Sequence, residues 1–337
     1  MCQPGLPSYC RWVLSTLARY YLDQTEVFLS NTVKNDILLS ESVKLTKRVL
    51  NMIFAWLLVF VNPVIANDST ISVVTSFSIL EDLVNQLGGQ HVNVVNLVDR
   101  NSDAHMYQPK PSDAVAIVNA DLLVFNGLEF EGWISRLIAN ADYQNRQLVA
   151  SNGVNAITNG GEIDPHAWQS FHNIRIYIDN ITQTLIELRP QHTFDFKRNK
   201  QRYLDALFIL ESQLIEQIST IPREKRIVVT SHDAFGYLGR EFSIDFVSPV
   251  GLNIEIEASA EDVAAVIDQV RADGVTAIFV ENITNSRLLQ SIADETNIRV
   301  GGRLYSDALS EPEGPAGTYL SMMRHNIGSL IEAFSSI

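Results

Sequence analysis

Residues Ile71 to Gly89 read ISVVTSFSILEDLVNQLGG, and the two halves of this stretch have different periods. ISVVTSF is a short β-branched apolar run of the kind found in a buried strand. In SILEDLVNQLGG, Ile79, Leu80, Leu83, Val84 and Leu87 fall on one helical stripe. Ser78 followed three residues later by Glu81 predicts a capping box, and Gly88-Gly89 predicts the stop. A strand running directly into an amphipathic helix is the βα unit of a parallel sheet.

The same alternation continues outward from this unit. VNVVNLV, DLLVFNG and QLVAS read as strands, separated by helices over SDAVAIVNA, capped by Ser112, and LEFEGWISRLIANA. A second series runs from RIVVT through IDFVSPV, VTAIFV and IRVGGRLY, with helices AEDVAAVIDQVRADG and SRLLQSIADETN between them and a last helix near TYLSMMRHNIGSLIEAF. Between the two series, Pro190 to Ile221 has no glycine and ends at Pro222. Its apolar residues Tyr203, Leu204, Leu207, Phe208, Leu214, Ile215 and Ile218 recur at helical spacing. The expected fold is two parallel-sheet α/β lobes bridged by a single long α-helix: a first lobe over 67–190, the linking helix over 191–221 and a second lobe over 222–337.

Ahead of the first lobe, Lys44 to Ala66 combines Lys44, Lys47 and Arg48 with an apolar run from Met52 to Val61 and small residues at Val64 and Ala66. This is the pattern of a secretory signal peptide, expected to be cut after Ala66, and the run is about half of the roughly 20 residues that span a bilayer. The preceding 1–43 are unusual for a signal and are read as the product of a start assigned too far upstream. Cys2 and Cys10 are the only cysteines, so the exported part would have no disulfide, no thiolate ligand and no thiol for a lipid anchor. A soluble periplasmic monomer is expected.

With 25 basic against 39 acidic residues the formal charge is −14, which excludes the basic stripe that nucleic acid or an anionic membrane requires. An acidic chain is suited to a cation instead. GxSxG, GxxxxGK[ST] and HExxH motifs are absent, and no GxGxxG follows the first strand.

All 7 histidines lie beyond the leader, and three share a setting. His105, in DRNSDAHMYQPKPSD, follows the strand ending near Val98. His166, in GEIDPHAW, follows the strand ending near Ala150. His232, in VTSHDAFGYLGREF, follows the strand ending at Thr230. Asp307, in RLYSDALSEPEGPAG, follows the strand ending near Tyr305. Open α/β sheets bind ligands outside the carboxyl ends of their strands, so two polar groups from each half can meet in the interlobe cleft. Three imidazoles and a carboxylate suit a borderline-soft dication such as Zn²⁺. Spacing alone does not tie them together, and a histidine at a strand end is by default a hydrogen-bonded core or rim residue. Asp103, Asp164 and Asp233 could accept ring N–H groups or cap the helices that follow. His172 could stray toward the cleft, and Glu281 reads as a helix cap or interlobe partner. His91, His192 and His325 read as solvated or capping.

With these residues assembled, the chain resembles the metal-binding solute-binding proteins of bacterial zinc and manganese ABC transporters, cluster A-I, from about Ile71 to Phe334. DAHMYQPKPSD, DPHAW, VTSHDAFGYLGREF and LYSDALSEPEGPAGTYLSMMRHN look like that family's four ligand motifs. The resemblance implies ligands at His105, His166, His232 and Asp307, a periplasmic metal carrier rather than an enzyme, and a membrane permease as partner. Ala104 replaces the family's usual proline, and QSFHN follows Trp168 where an L-D-P turn is common. The His-rich loop of one zinc-specific branch is missing, since 142–163 contains no histidine. Members with glutamate at the third ligand position tend toward manganese, so His232 tilts the expected cargo to Zn²⁺, with Mn²⁺ the alternative. The rival readings are an exported zinc hydrolase, with Glu281 facing a metal-bound water, and a surface adhesin on the same fold.

Overall fold

Strands β1 (Ile71–Thr75) and β3 (Leu122–Phe125) are buried along nearly their whole length, whereas β2 (Val92–Asn96) alternates and β4 (Arg146–Val149) is mostly exposed. Strands apolar on both faces belong in the middle of a parallel sheet. The order is β2-β1-β3-β4, all parallel, with Val73 opposite Val94 on one side and Leu122 on the other. The second half repeats the arrangement. β7 (Ile227–Val229) and β9 (Ala277–Glu281) are central, and β8 (Asp245–Val247) and β10 (Val300–Leu304) are the edges, in the order β10-β9-β7-β8. In both sheets the order therefore reverses between the first and third strands, which leaves a crevice at their carboxyl ends.

The computed structural model describes residues 70–159, 161–252 and 258–335, all within the unit Asp68–Ile337. The expected signal peptide, both cysteines and the 1–43 leader lie outside the described residues. Among the described residues no helix is long and apolar enough to cross a membrane.

The helices of the first lobe are α1 (Ser78–Gly88), α2 (Pro111–Val118), α3 (Ile134–Asn140) and α4 (Phe171–Leu188). The linking helix α5 spans Thr193–Ser219, preceded by a short 3-10 turn at Pro190–His192. The second lobe adds α6 (Gly236–Phe242), α7 (Ala260–Asp273), α8 (Arg287–Thr296) and α9 (Tyr319–Ser335). At 27 residues α5 is about 40 Å long at 1.5 Å per residue. Phe196, Tyr203, Leu207, Leu210, Leu214 and Ile218 form its buried face, packed with α1, α4 and α9. The main core runs continuously through both lobes along this helix. A smaller core of Val229, Val247, Val266, Val270, Ile278, Leu289 and Ile292 lies under α7 and α8.

Several local expectations give way to longer-range contacts. The capping box at Ser78 and Glu81 does not form: Ser78 Oγ accepts the Leu309 N–H at 2.9 Å, and Glu81 pairs with Arg100 at 3.1 Å. Both side chains serve the loop around Asp307 instead, because Arg100 also donates to the carbonyls of Ser310 and Gly317, each at 2.9 Å. Ser112 does not cap α2; Asp113 accepts the Lys110 N–H at 2.6 Å. The helix expected from Leu128 starts only at Ile134, since Gly127, Leu128 and Glu129 have φ of 81°, 54° and 64°. That left-handed turn closes on Glu131, whose carboxylate accepts from Ser76 Oγ at 2.6 Å, Asn126 N at 2.7 Å and Gly127 N at 3.1 Å. Helix α4 was not expected. On α5, Phe208 and Ile215 face outward at 63% and 48% exposure, because only one stripe of a helix this long meets the core.

Candidate metal centre

Each of the four residues singled out at a strand end is held by its own scaffold. His105 follows Ala104, whose carbonyl accepts the Trp133 indole N–H at 2.8 Å, and its own N–H donates to Asp103 Oδ1 at 2.8 Å. His166 follows a small antiparallel hairpin, β5 (Thr158–Asn159) with β6 (Glu162–Ile163). Tyr237 of α6 secures that hairpin from the second lobe, donating to Asp164 O at 2.9 Å and accepting from Ile157 N at 3.0 Å. His232 leaves the end of β7 beside Glu281, the last residue of neighbouring β9. The loop carrying Asp307 is fixed by Trp168 and Gln169 of the first lobe, which donate to Ser306 O at 2.9 and 2.7 Å.

The four side chains converge. His105 Nε2 lies 3.3 Å from His166 Nε2 and 3.5 Å from Asp307 Oδ2; His166 Nε2 is 3.6 Å from Asp307 Oδ1, and His232 Nε2 is 3.3 Å from Asp307 Oδ2. One donor atom from each lies within 4.8 Å of the other three. His166, His232 and Asp307 are fully buried and His105 retains 9% exposure. Neither Asp307 oxygen and neither His232 nitrogen has a well-aligned hydrogen bond. Such orphaned buried polar atoms are costly unless something else satisfies them, and a dication bound by three nitrogens and a carboxylate would do so.

The surrounding carboxylates set the direction of the rings. Asp164 Oδ1 lies 2.8 Å from His166 Nδ1 and also accepts the His166 backbone N–H at 2.9 Å. Placing the ring proton on Nδ1 leaves the Nε2 lone pair toward the centre. Glu281 divides the same work between two oxygens. Its Oε1 accepts the N–H groups of Ser231 at 2.8 Å and His232 at 3.0 Å, while Oε2 lies 2.7 Å from His232 Nδ1, angled off the line of a hydrogen bond but close enough for strong charge pairing. Burial disfavours a charged imidazole at His232, yet Glu281 and Asp307 outweigh it and hold the ring well above its usual range. Burial also opposes ionisation of Asp307, but His232 and His166 keep it well below the carboxylate range. Burial, reinforced by Asp307, raises Asp103. The centre is arranged to contain positive charge.

Other expectations are corrected here. Glu281 neither caps a helix nor joins the lobes; it braces His232 within its own lobe. Asp164 meets the ring of His166, Asp103 accepts a backbone N–H, and the carboxylate against His232 Nδ1 is that of Glu281. His172 is exposed on the first turn of α4, and His325 lies against Arg303 O, so neither joins the centre.

The family model for the periplasmic zinc-uptake complex component A, ZnuA, matches residues 73–333. The chain belongs to this family. It is a metal-binding solute-binding protein of the ABC-transporter type and not an enzyme, and its fold is that of solved relatives. It is 31% identical over 266 residues to the manganese-binding lipoprotein MntA of Halalkalibacterium halodurans, covering 79% of this chain and 89% of that one. It is 32% identical to the iron-binding protein YfeA of Yersinia pestis, covering 78% and 86%. Among solved structures, the periplasmic zinc-binding protein TroA of Treponema pallidum superposes with a TM-score of 0.76 at 26% identity, over 79% of this chain and 99% of that one. A manganese-bound periplasmic metal-binding protein from Candidatus Liberibacter asiaticus gives 0.73 at 31%, over 79% and 100%.

Zinc, manganese and iron all appear among these similar solute-binding proteins, so the likeness extends to divalent metals as a class. MntA is described as a lipoprotein, which conflicts with the expectation of no lipid anchor. The hydrolase reading needs Glu281 free to face a metal-bound water, but Glu281 is committed to two backbone amides and to the Nδ1 side of His232. Beside His105, the one partly exposed member of the four, a recess of about 430 Å³ is lined by Leu128, Glu129, Glu162, Pro165 and Leu252 among others. Its two glutamates give the approach to the centre the sign that attracts a cation.

Proposed function

We propose that this chain captures a divalent transition metal at His105, His166, His232 and Asp307 and delivers it, as a periplasmic monomer, to an ABC-transporter permease, with Zn²⁺ the preferred cargo. The observation that carries the reading is the convergence of four buried donor atoms from four separate loops. Zinc is favoured because three of the four donors are imidazole nitrogens, and affinity at nitrogen sites rises from Mn²⁺ toward Zn²⁺ along the first-row series. The absence of any cysteine downstream of the apolar run argues for a carrier released by signal cleavage rather than tethered through a thiol. The N–H groups of Trp168 and Gln169 tie the first lobe to the Asp307 loop, so loading would shift loops and side chains more than whole lobes.

One feature favours manganese as a second reading. Both Asp307 oxygens lack hydrogen-bond partners, so the carboxylate could bind through two oxygens and raise the coordination number, which suits a harder ion. Competition decides between them. The full chain, equilibrated with equal chelator-buffered concentrations of free Zn²⁺ and Mn²⁺, should retain zinc at one equivalent and lose it on His232→Ala. Retention of manganese would reverse the cargo assignment, and failure to bind either ion tightly would refute the site.

A further inference from the structure

A second group of metal-capable side chains lies outside the interlobe cleft, at the opposite end of the first sheet. His91 immediately precedes β2, whereas the four residues above lie in loops that follow strands. His192 closes the short turn between α4 and α5, and Asp195 sits in the first turn of α5. Two segments about 100 residues apart, one carrying His91 and the other both His192 and Asp195, therefore meet at one point.

The geometry is specific. His91 Nε2 lies 3.0 Å from Asp195 Oδ2, and the His91 and His192 rings stack with centroids 3.9 Å apart and planes 20° from parallel. One donor atom from each of the three residues lies within 4.8 Å of the others. The buried Phe196 ring meets both imidazoles edge-on, at 5.6 and 6.2 Å, and provides an apolar floor. The His91 contact comes first, and Arg198 helps, in holding the Asp195 carboxyl below its ordinary range. Arg198 occupies Asp195 Oδ1 at 2.7 Å, leaving Oδ2 on the side of the histidines. A His91–Asp195 hydrogen bond alone does not call for a second imidazole stacked at van der Waals distance.

We propose that His91, His192 and Asp195 form a second, surface site for a dication of the Zn²⁺ class. Two imidazoles and one carboxylate suit a borderline ion, with water completing the shell. Binding exchanges the His91–Asp195 hydrogen bond for two bonds to the ion, and the proton on Nε2 moves to Nδ1 or leaves. The site is weaker than the interlobe centre, because it has three donors rather than four, is partly exposed, and must contract so that all three reach about 2.0–2.2 Å from one ion. When filled it ties the turn after α1 to the start of the linking helix, beside the existing link from Asn199 to Leu87 O.

The test is a Zn²⁺ titration of the full chain against chelators of graded strength, with thermal melting in parallel. Wild type should bind two equivalents in separate phases, and filling the second should raise the melting temperature further. His192→Ala and Asp195→Asn should each weaken the second phase at least tenfold and leave the first within about twofold. Should His192→Ala melt early even without metal, His192→Gln keeps a polar side chain at the turn and reads the same loss. A His105→Ala/His232→Ala double variant should retain only the weak phase, which separates failure of the interlobe centre from failure of this one. Saturation of wild type at one equivalent that His192→Ala does not touch, or a second phase unaffected by all three substitutions, would overturn the proposal.

Discussion

Replacing Glu281 by glutamine tests how the centre controls its own nitrogen donors. In the native arrangement Oε1 takes two backbone N–H groups while Oε2 faces His232 Nδ1 at 2.7 Å. Glutamine has one oxygen and one NH₂. If the oxygen keeps the backbone pair, the NH₂ confronts an Nδ1–H, and the clash is relieved by moving the ring proton to Nε2, the atom aimed at the centre. If the amide flips, two buried backbone N–H groups lose their acceptor. Either outcome removes an oriented lone pair, and disrupting such an outer partner costs about 10–100-fold in metal affinity, or roughly 1.4–2.8 kcal/mol. Asp164→Asn should be much milder, because Asp164 Oδ1 alone serves both the ring and the backbone N–H of His166, and an asparagine carbonyl can do the same. Chelator competition with Zn²⁺, alongside a melt to verify folding, measures both. Equal affinities for Glu281→Gln and wild type, or a larger loss for Asp164→Asn, would refute the tautomer argument.

Asp82 on α1 is buried, accepts the Tyr319 N–H at 2.8 Å, and has its pKa pushed up mainly by that burial. Its folded pKa exceeds the unfolded value near 3.9, so its contribution to stability falls as pH rises from about 4 through the folded pKa. In denaturant melts Asp82→Asn, which keeps an acceptor, should gain on wild type from about pH 4 to pH 7, whereas Asp82→Ala strands a buried N–H and loses about 1–3 kcal/mol. Glu129→Gln/Glu162→Gln should slow metal association by up to roughly tenfold at low ionic strength in stopped-flow measurements; near 1 M salt, where the Debye length is about 3 Å, the difference should vanish. Gly236→Ala places a Cβ 2.8 Å from Asp164 Oδ2, so overpacking should cost about 1–3 kcal/mol in melts and the displaced Asp164 should weaken Zn²⁺ retention.

The layered fold was legible because parallel strands and amphipathic helices have different periods, and each period survives in the sequence whatever the helix or strand later touches. Which strands are central appears only in the structure, where ISVVT and AIFVE are buried nearly throughout while VNVVN alternates in burial although Val94 and Val95 are both apolar. Element starts were less legible, for a reason the structure supplies. Ser78 and Glu81 are three apart and could have closed on each other, but each found a partner more than a dozen residues away, Leu309 and Arg100. A cap inferred from spacing assumes that no distant group competes for the same atoms. The helix expected from Leu128 was displaced in the same way, by a buried Glu131 that gathers three donors from two segments.

The contrast between the two carboxylates that brace the histidines shows where site reading from a sequence stops. Asp164 is two residues from His166 and meets both its backbone N–H and its ring, so it could be suspected from Asp-Pro-His alone, although Asp103 at the same offset from His105 accepts the backbone N–H. At His232 the carboxylate against Nδ1 is Glu281, from 49 residues away, because β7 and β9 are neighbours in the sheet and both end at the crevice. That adjacency is a property of the strand order β10-β9-β7-β8, which periodicity does not encode. The same reasoning explains why His91 and His192 read as solvated or capping residues: the meeting of His91 with His192 and Asp195 depends on α1 and α5 packing together. Local motifs therefore nominate donors, while the topology decides which acidic group orients each one and where a second set of donors can assemble.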